Sequence, residues 1–373
     1  MASVKILHTG DLHIGASESF LEERASARQA ETLLTFERIV DIAKENGVEL
    51  VLISGDLFDS NRIQRYLFDG VLEKISSAGG IAFVYCAGNH DPLNFESPFL
   101  KAKLPGNFYI LPTEDACVKI NDNVKVYGKS FSETLLKGEN EFSVPADPDT
   151  VNIMCIHGEY GFGGEQNPIS NDFVLKSGMD YIALGHVHQR TEPKKIGNTY
   201  IAYCGCPEGL GFDELGEKGV YIGEIDKNRC DLRFVPTCKR QHIAIKVDIS
   251  GIENTSEIID KAIDEIKSAY GESFGENLYK IILTGEIPQD AELNIPEITE
   301  RLKSRTYFTK VSDKTVLKFD LSTLKNETSL KGVFITKMLE RIENEPENAE
   351  KLELALKIGL KAFQGEVEPF ENQ

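Results

Sequence analysis

The stretch that does most to decide the fold is Val4-Lys5-Ile6-Leu7-His8-Thr9-Gly10-Asp11-Leu12-His13. An apolar run typical of a buried β-strand ends there at a glycine, and an Asp and a His follow two residues apart. Side chains alternate faces along an extended chain, so we expect Asp11 and His13 to point the same way. The stretch therefore predicts a strand that ends in two metal-binding side chains.

Four further segments repeat the pattern of an apolar run followed by a turn that carries His, Asp or Asn. They are Gly55-Asp56-Leu57-Phe58-Asp59, Gly88-Asn89-His90-Asp91, Ile156-His157-Gly158 and Gly185-His186-Val187-His188. Each segment alone is a weak signal, but five in one order form a specific one. The series predicts a site that hydrolyses phosphate esters with two divalent cations about 3.5–4 Å apart, which supply a nucleophile and relieve charge on phosphorus.

The residue types suggest how two ions would be held. Asp11 and His13 suit one ion, and the Asp56 carboxylate has two oxygens with which to bridge both. Asn89 offers a neutral amide oxygen. The segment Gly185 to His188 provides one histidine for each ion. Mixed nitrogen and oxygen ligands favour manganese, iron or zinc over calcium and magnesium, and manganese is the first choice.

Two histidines stand outside the series. His8 lies inside the first predicted strand, where a hydrogen-bonded core or outer-sphere role is the simpler expectation. His242 begins a later strand and has no companion motif. Neither is predicted to bind metal.

The series resembles that of the calcineurin-like metallophosphoesterases, and most of all that of the SbcD-type DNA repair nucleases. The segments Asp56 to Ser60 and Tyr203 to Glu214 are similar to the motifs of those nucleases, with Cys206 where a serine is usual. Protein phosphatases typically carry Arg and Glu where this chain has Ser60 and Asp91, which argues against a phosphoprotein substrate. The resemblance implies a nuclease subunit that cleaves DNA phosphodiesters in break repair or hairpin processing.

The resemblance also implies roles for single residues. One metal would be held by Asp11, His13, Asp56 and His188, and the other by Asp56, Asn89, His157 and His186. His90 would stabilise charge near the scissile phosphate or protonate the leaving oxygen, with Asp91 orienting its ring. Asp59 replaces a histidine of some relatives, so it is either a residue that places DNA or an outer-sphere partner.

The fold class expected is α/β, and the chain is expected to divide into three parts. Residues 1–238 alternate strands and helices and resemble the two-sheet, helix-flanked sandwich of metallophosphoesterases. Residues 239–320 look like a small α+β capping domain of the kind that helps such nucleases grip DNA. Residues 321–373 contain a polar linker, Ser322 to Ser329, and two amphipathic C-terminal helices.

These C-terminal helices carry apolar residues every four positions, interrupted at Asn344-Glu345-Pro346. The stripe consists of Leu330, Phe334, Met338, Ile342, Leu352, Leu356, Leu360 and Phe363. It either docks on the protein itself or, as in SbcD-type proteins, binds the coiled-coil base of an SbcC-like ATPase. Any ATP dependence must come from such a partner, because Asn123 stands where a P-loop before Gly128-Lys129-Ser130 needs its first glycine.

The net charge of −19 weighs against a nucleic-acid partner. Basic residues nevertheless concentrate around Arg190 and in Arg301 to Lys310, where they mix with aromatic residues as base-stacking surfaces do. A solvated surface explains the same residues. Arg190 and Arg305 are candidate substrate contacts because of the resemblance.

Seven cysteines without a CxxC pair, no room for a signal peptide and no long apolar run predict a cytoplasmic protein without membrane spans. The resemblance further implies a homodimer through helices over Arg62 to Ser76 and Phe95 to Lys103. The hypothesis is a nuclease subunit of SbcD or YhaO-like type. Its alternatives are a stand-alone phosphodiesterase acting on nucleotides or other small esters, and a scaffold without catalysis.

Overall fold

In a computed structural model of the chain, the structure describes residues 2–135, 142–161, 166–252, 254–288, 293–318 and 329–363. The chain divides into two compact units. The first contains Met1–Ile245, Tyr270–Lys280 and Lys303–Lys310, and the second contains Lys246–Ala269, Ile281–Leu302 and Val311–Gln373. The three-part division stays a prediction, and its boundary near residue 320 and the linker residues 322–328 lie outside the described residues.

Two six-stranded mixed sheets, with strands numbered along the chain, form most of the first unit. The first sheet consists of β1 (Ser3–Thr9), β2 (Leu50–Ser54), β3 (Ala82–Cys86), β4 (Phe108–Ile110), β11 (Gly219–Asp226) and β12 (Cys230–Pro236). Its order is β12-β11-β1-β2-β3-β4. Strands β1 to β4 are parallel, while β11 runs antiparallel to β1 and β12 to β11.

The second sheet has a parallel centre and antiparallel edges. It consists of β5 (Ala116–Asn121), β6 (Val124–Gly128), β7 (Val151–His157), β8 (Tyr181–Gly185), β9 (Lys194–Ile196) and β10 (Thr199–Tyr203). The order is β5-β6-β7-β8-β10-β9, with β6, β7, β8 and β10 parallel. The parallel strands of both sheets are almost wholly apolar, as strands buried on two faces must be.

The sheets pack face to face, and helices cover their outer faces. Alternation along β2 shows this, because Leu52 joins the core between the sheets while Val51 packs in the cluster with helix residues. Helices α1 (Ala25–Glu45) and α2 (Arg65–Ser76) contribute Phe36 and Val71 to that cluster. On the second sheet, Val174 of the short helix α3 (Asn171–Lys176) packs in a third cluster. The predicted two-sheet sandwich flanked by helices is confirmed.

One predicted helix of the first unit is wrong. The segment Phe95 to Lys103 contains only a 3-10 turn at Pro98–Lys101. Proline lacks a backbone N–H and disfavours helix in the residue before it, so Pro98 and Pro105 leave too little chain between them for a stable helix.

The second unit contains helices, a strand pair and parts of a small sheet. Strands β13 (His242–Asp248), β14 (Leu278–Thr284) and β16 (Phe308–Asp313) form that sheet in the order β13-β14-β16, and the division into units passes through them. The other elements are α4 (Thr255–Tyr270), α5 (Ile295–Lys303) and the parallel pair β15 (Glu286–Pro288) and β17 (Val316–Lys318).

Two C-terminal helices, α6 (Leu330–Asn344) and α7 (Ala349–Phe363), follow and pack against each other. Ile335, Leu356 and Leu360 are buried in their contact, and Phe334, Met338 and Ile342 of the predicted stripe pack against them, while Leu330 is 76% exposed. Among the described residues, no helix combines the length and apolar character needed to cross a membrane.

Candidate metal centre

The five sequence motifs come together at the carboxyl ends of parallel strands in the first unit. Asp11 and His13 follow β1, Asp56 follows β2, Asn89 and His90 follow β3, His157 ends β7, and His186 and His188 follow β8. Both sheets therefore supply side chains to one place, as expected for ligand sites of α/β sheets.

One group of donor atoms is centred on two histidines. The Nε2 atoms of His13 and His188 lie 3.1 Å apart, and His13 Nε2 lies 3.8 Å from Asp56 Oδ2. Donor atoms of Asp11, His13 and His188 all lie within 4.8 Å of one another. This is the first ligand group that the resemblance implied.

A second group lies on the other side of Asp56. His157 Nε2 is 2.9 Å from Asn89 Oδ1 and 3.4 Å from Asp56 Oδ2. His186 Nδ1 is 3.2 Å from the same Asn89 oxygen. The Asp56 carboxylate thus approaches histidines of both groups, as a bridging ligand would.

Four of these residues have left-handed backbone conformations, which cost energy in residues other than glycine. The φ angles are +49° at Asp11, +44° at His13, +47° at Asp56 and +98° at His186. Strand alternation was the wrong reason for expecting Asp11 and His13 to converge, because β1 ends at Thr9 and both residues lie in the turn beyond it. The side chains of Asp11 and His13 converge because of the conformation of this turn.

Glycines beside the ligand candidates make room for them. A Cβ at Gly88 would lie 2.2 Å from Asp56 Oδ1, and one at Gly55, where φ is +97°, would lie 2.0 Å from His157 Nδ1. Neither contact is possible for a larger residue without moving the carboxylate or the ring.

The outward nitrogens of His13 and His157 also have partners. His157 Nδ1 lies 2.9 Å from the Ser54 carbonyl oxygen, which can only accept, so this nitrogen carries the proton and Nε2 presents its lone pair inward. His13 Nδ1 lies 3.4 Å from Asp59 Oδ1. Asp59 therefore supports the outer-sphere alternative stated for it.

Two acidic residues that the sequence motifs did not include contact the remaining histidines. Glu214 accepts a hydrogen bond from His188 Nδ1, and Glu159 Oε1 lies 3.1 Å from His186 Nε2. Glu159 stands only two residues after His157, and Glu214 ends the stretch that carried the resemblance, so both positions were visible in the sequence.

Charge interactions inside the site are strong. Burial by itself lowers the pKa of His157, but the carboxylates of Asp56 and Asp11 raise it to about 9. The pKa of Asp56 is lowered in turn, because attraction to His157 and His13 outweighs the effect of burial. The centre therefore favours positive charge among its acidic groups, whether from protons or from bound cations.

His90 and Asp91 are arranged differently from the expectation. Asp91 is fully buried, and its carboxylate accepts hydrogen bonds from the backbone N–H groups of Phe58, at 2.9 Å, and Gly88, at 3.0 Å. Burial, together with the charge of Asp56, raises the pKa of Asp91 to about 6. It braces two turns of the site instead of orienting His90.

The partner of His90 is Asp59. His90 Nδ1 lies 3.1 Å from the Asp59 carbonyl oxygen and 3.8 Å from Oδ1 of the same residue. The ring of His90 packs edge-on against that of His13 at 4.6 Å, and its side chain is 44% exposed. The sequence-adjacent Asp91 is held elsewhere because its side chain points into the core.

Both candidate substrate arginines lie outside these two groups. Arg190 donates to Glu192 and to the Tyr221 hydroxyl, and its guanidinium lies 4.4 Å from the centre of the Phe234 ring. Arg305 is exposed.

The two histidines outside the motifs have protein partners. His8 is buried between the Tyr181 hydroxyl, at 2.8 Å, and Ser54 Oγ, at 3.1 Å. Burial lowers its pKa to about 3, which keeps the ring neutral at pH 7. His242 Nε2 lies 3.0 Å from Glu18 Oε2. These contacts agree with non-ligand roles.

The donor set suits divalent metal ions. Because Asp59 and Glu214 face the outer nitrogens of His13 and His188, the inner nitrogens direct lone pairs toward each other across 3.1 Å. A proton or a shared cation relieves that repulsion, and two imidazoles on one ion at about 2.1 Å have a similar nitrogen spacing, roughly 3 Å. The residues present therefore fit a metal site.

Known proteins are similar in sequence to this chain. Residues 4–190 match the family model of the calcineurin-like phosphoesterases. The uncharacterized metallophosphoesterase YhaO of Bacillus subtilis is 26% identical over 310 residues, which cover 78% of this chain and 74% of that protein. The DNA double-strand break repair protein Mre11 of Sulfolobus acidocaldarius is 26% identical over 283 residues, 71% of this chain and 72% of its own.

A second Mre11, from Sulfurisphaera tokodaii, is 25% identical over 352 residues and covers 87% of this chain and 86% of its own length. The similarity to these relatives thus extends beyond the segment that the family model matches. With residues 4–190 of the 373 matched and their histidines and carboxylates converged, the chain belongs to the calcineurin-like phosphoesterases, hydrolases of phosphate esters that use divalent metals.

Proposed function

We propose that this protein is a two-metal nuclease that hydrolyses DNA phosphodiester bonds, of the kind found in SbcD-like or YhaO-like proteins. The observation that carries the proposal is the pair of inward-facing donor groups on either side of Asp56. Asp11, His13, Asp56 and His188 would hold one ion, and Asp56, Asn89, His157 and His186 the other. Manganese is the ion we favour, since the ligands mix nitrogen and oxygen.

When bound, two divalent ions would lower the pKa of a water molecule and neutralise charge on the phosphate. The chain's own contribution includes His90, which lies at the exposed edge of the site. Its Nδ1–H donates to the Asp59 carbonyl, so the imidazolium form directs Nε2–H away from that anchor. We assign to this proton the protonation of the leaving oxygen as the phosphorus–oxygen bond breaks.

The choice of DNA as substrate rests on the Mre11 relatives and on a surface of the first unit. Lys310 Nζ lies 4.3 Å from the centre of the Phe212 ring, and Lys303 Nζ lies 5.8 Å from that of Phe308. Phe20, which is 38% exposed, packs 5.2 Å from Phe308. Such mixed cationic and aromatic groups suit nucleic-acid strands. Phe212 also stands two residues before Glu214, which contacts His188.

The test compares two substrates. Purified protein with manganese should degrade linear duplex DNA in preference to cyclic nucleotides. His90→Ala should bind manganese as the wild type does while its rate falls by about 10²–10⁴-fold, the range typical of losing a general acid. If the protein hydrolyses cyclic nucleotides but leaves DNA uncleaved, the phosphodiesterase acting on small esters is favoured over the nuclease. If it hydrolyses neither substrate, a scaffold without catalysis is favoured.

A matched pair of variants tests whether the aromatic surface contacts DNA. Lys310→Ala should weaken DNA binding at low salt, whereas Lys119→Ala, on the exposed strand β5 and paired with Asp122 at 2.7 Å, should not. Equal affinities of the two variants would remove the aromatic surface from the proposal.

An SbcC-like ATPase is the partner proposed for the C-terminal helices, and a homodimer is proposed for the nuclease unit. The helices leave Leu330, Val333 and Leu354 more than half exposed, at 76%, 51% and 59%. Co-purification of the full chain with a coiled-coil ATPase would support the first proposal. Its loss in the double variant Leu330→Ser/Val333→Ser would assign the contact to α6.

A further inference from the structure

Two acidic residues outside the ligand groups make one contact each with the histidine pair of the Gly185 to His188 segment. Glu214 is bonded to His188 Nδ1, and Glu159 Oε1 lies 3.1 Å from His186 Nε2. The two histidines thus use opposite ring nitrogens for their outward contacts, although they are separated by one residue.

Because the two histidines use opposite nitrogens for their outward contacts, they also present opposite nitrogens to the metal. A neutral ring carries one N–H, and an ionised carboxylate can only accept it, so the other nitrogen keeps its lone pair. His188 must then present Nε2, which faces His13 Nε2 at 3.1 Å. His186 must present Nδ1, which faces Asn89 Oδ1 at 3.2 Å.

Glu214 is itself held in place. Its Oε2 accepts a hydrogen bond from the Leu210 N–H at 2.8 Å and lies 3.6 Å from Cys206 Sγ. Its backbone N–H donates to the Gly211 carbonyl at 3.1 Å. With a side chain only 12% exposed, this carboxylate has little freedom to leave His188.

Glu159 is anchored through its backbone. Its N–H donates to the Gln166 carbonyl at 3.0 Å, and its own carbonyl accepts from the Ile169 N–H at 2.7 Å. The backbone of His186 has φ +98°, and its N–H donates to the Asp11 carboxylate at 2.9 Å. This constrained backbone places the ring between Asn89, which faces Nδ1, and Glu159, which contacts Nε2.

We propose that Glu214 and Glu159 are positioning residues that make His188 an Nε2 ligand of one metal ion and His186 an Nδ1 ligand of the other. The inference rests on the proposed two-metal centre. Outer-sphere carboxylates of this kind orient the ring and set its tautomer, and losing one typically costs roughly 10–100-fold in metal affinity.

Manganese binding by the full-length protein gives the first test. Glu214→Gln and Glu159→Gln should each weaken one of two binding steps by roughly 10–100-fold in calorimetry and leave the other near its wild-type value. Glu192→Gln is the matched control, because Glu192 is 77% exposed and pairs with Arg190. Wild-type affinity at both steps in both variants would overturn the inference, whereas a wild type that binds no manganese would overturn the metal centre itself.

Amide substitutions test which nitrogen faces the metal. An Asn oxygen occupies about the position of histidine Nδ1, and a Gln oxygen that of Nε2, since the two side chains differ by one methylene. His188→Gln should therefore retain more manganese than His188→Asn, while His186→Asn should retain more than His186→Gln. The same preference at both positions would refute opposite nitrogens.

Nitrogen NMR separates positioning from a merely structural role. In zinc-loaded protein labelled with ¹⁵N-histidine, the metal-induced shift should fall on Nε2 of His188 and Nδ1 of His186. Glu214→Gln should change the His188 pattern and leave His186 as it was. Unchanged His188 nitrogens in a folded Glu214→Gln protein would show that Glu214 does not position the ring.

Discussion

Two buried clusters of charged side chains lie in the first unit, and they differ in the source of their positive charge. One is the metal centre described above. The other, the arginine cluster, consists of Arg28, Glu18, Glu31, Glu208, Lys239 and Arg240. Both bury carboxylates, but only the arginine cluster contains permanent cations of the chain itself.

In the arginine cluster, Arg28 occupies the centre with its side chain 1% exposed. Its guanidinium contacts Glu18 at 2.7 Å, Glu208 at 2.8 Å and Glu31 at 3.0 Å, and donates to the Gly209 carbonyl at 2.7 Å. Burial alone would lower the pKa of Arg28, but the carboxylates of Glu208 and Glu18 raise it. All of its charge is therefore balanced inside the protein.

In the metal centre, the carboxylates of Asp11 and Asp56 face histidines and backbone N–H groups instead. Histidine can be neutral at pH 7, so its positive charge is conditional. Burial of acidic groups therefore does not by itself indicate a metal site. The useful distinction is whether an arginine or lysine shares the cluster or whether lone pairs of histidine and amide oxygens converge there.

We expect the greatest loss of folding stability when the arginine cluster is disrupted. Arg28→Met leaves at least three carboxylates without their central cation, and removing one partner of a buried ion pair costs about 3–5 kcal/mol. Urea unfolding in the presence of a chelator measures the loss. Arg65→Met is the control, since Arg65 is 92% exposed and pairs with Asp69 in the same helix, and it should leave unfolding unchanged. A small loss for Arg28→Met would mean that the two clusters do not differ as described.

The next largest effect is expected when a substitution removes the carboxylate that both metal-binding groups share. Asp56→Asn should lower the rate of phosphodiester hydrolysis by at least about 100-fold, because even an outer-sphere partner of a metal is worth roughly 10–100-fold. Manganese stoichiometry, measured after desalting, should fall as well. A fully active variant would show that Asp56 is a structural acid like those around Arg28.

The pH dependence of stability tests the arginine cluster at Glu31. Burial would raise the pKa of Glu31, but hydrogen bonds from Arg240, Lys239 and Arg28 lower it to about 2 from 4.5. A lowered pKa contributes stability above pH 4.5 and loses it as the pH falls toward 2, here on the order of 3 kcal/mol. The stability of Glu31→Gln, measured by urea unfolding, should therefore approach that of the wild type as the pH falls. Parallel curves would contradict this.

The smallest effect concerns a histidine that belongs to neither cluster. His8→Gln should cost only about 1–2 kcal/mol, the range for disturbing buried hydrogen bonds, here those with Tyr181 and Ser54. Manganese stoichiometry should stay at the wild-type value. Loss of an ion in this variant would show that His8 contributes to the metal centre.

Local patterns predicted much of this molecule correctly. Strand β1 ends at Thr9, directly before the glycine at which the apolar run was predicted to end, and the interruption of the C-terminal helices follows Asn344 as Pro346 requires. The motifs also indicated which side chains stand at strand ends. These features depend on residues close together in the sequence, so periodicity and turn residues are enough to find them.

Contacts between distant segments were beyond such patterns. Asp91 was expected to hold His90 because it is adjacent, yet its side chain turns inward and Asp59, from another turn, takes that place. The arginine cluster likewise joins Glu18 to Glu208 through Arg28, three residues that no local motif connects.

The candidate ligands, the family and the two-sheet architecture could all be predicted from the sequence, because each follows from short motifs and apolar runs. The folded structure was needed to show which nitrogen of each histidine faces inward, which acids contact the outer nitrogens and which buried acids are paired with an arginine. Hydrogen bonds and charge balance depend on atoms brought within about 3 Å by folding, and those atoms come from segments far apart in the chain.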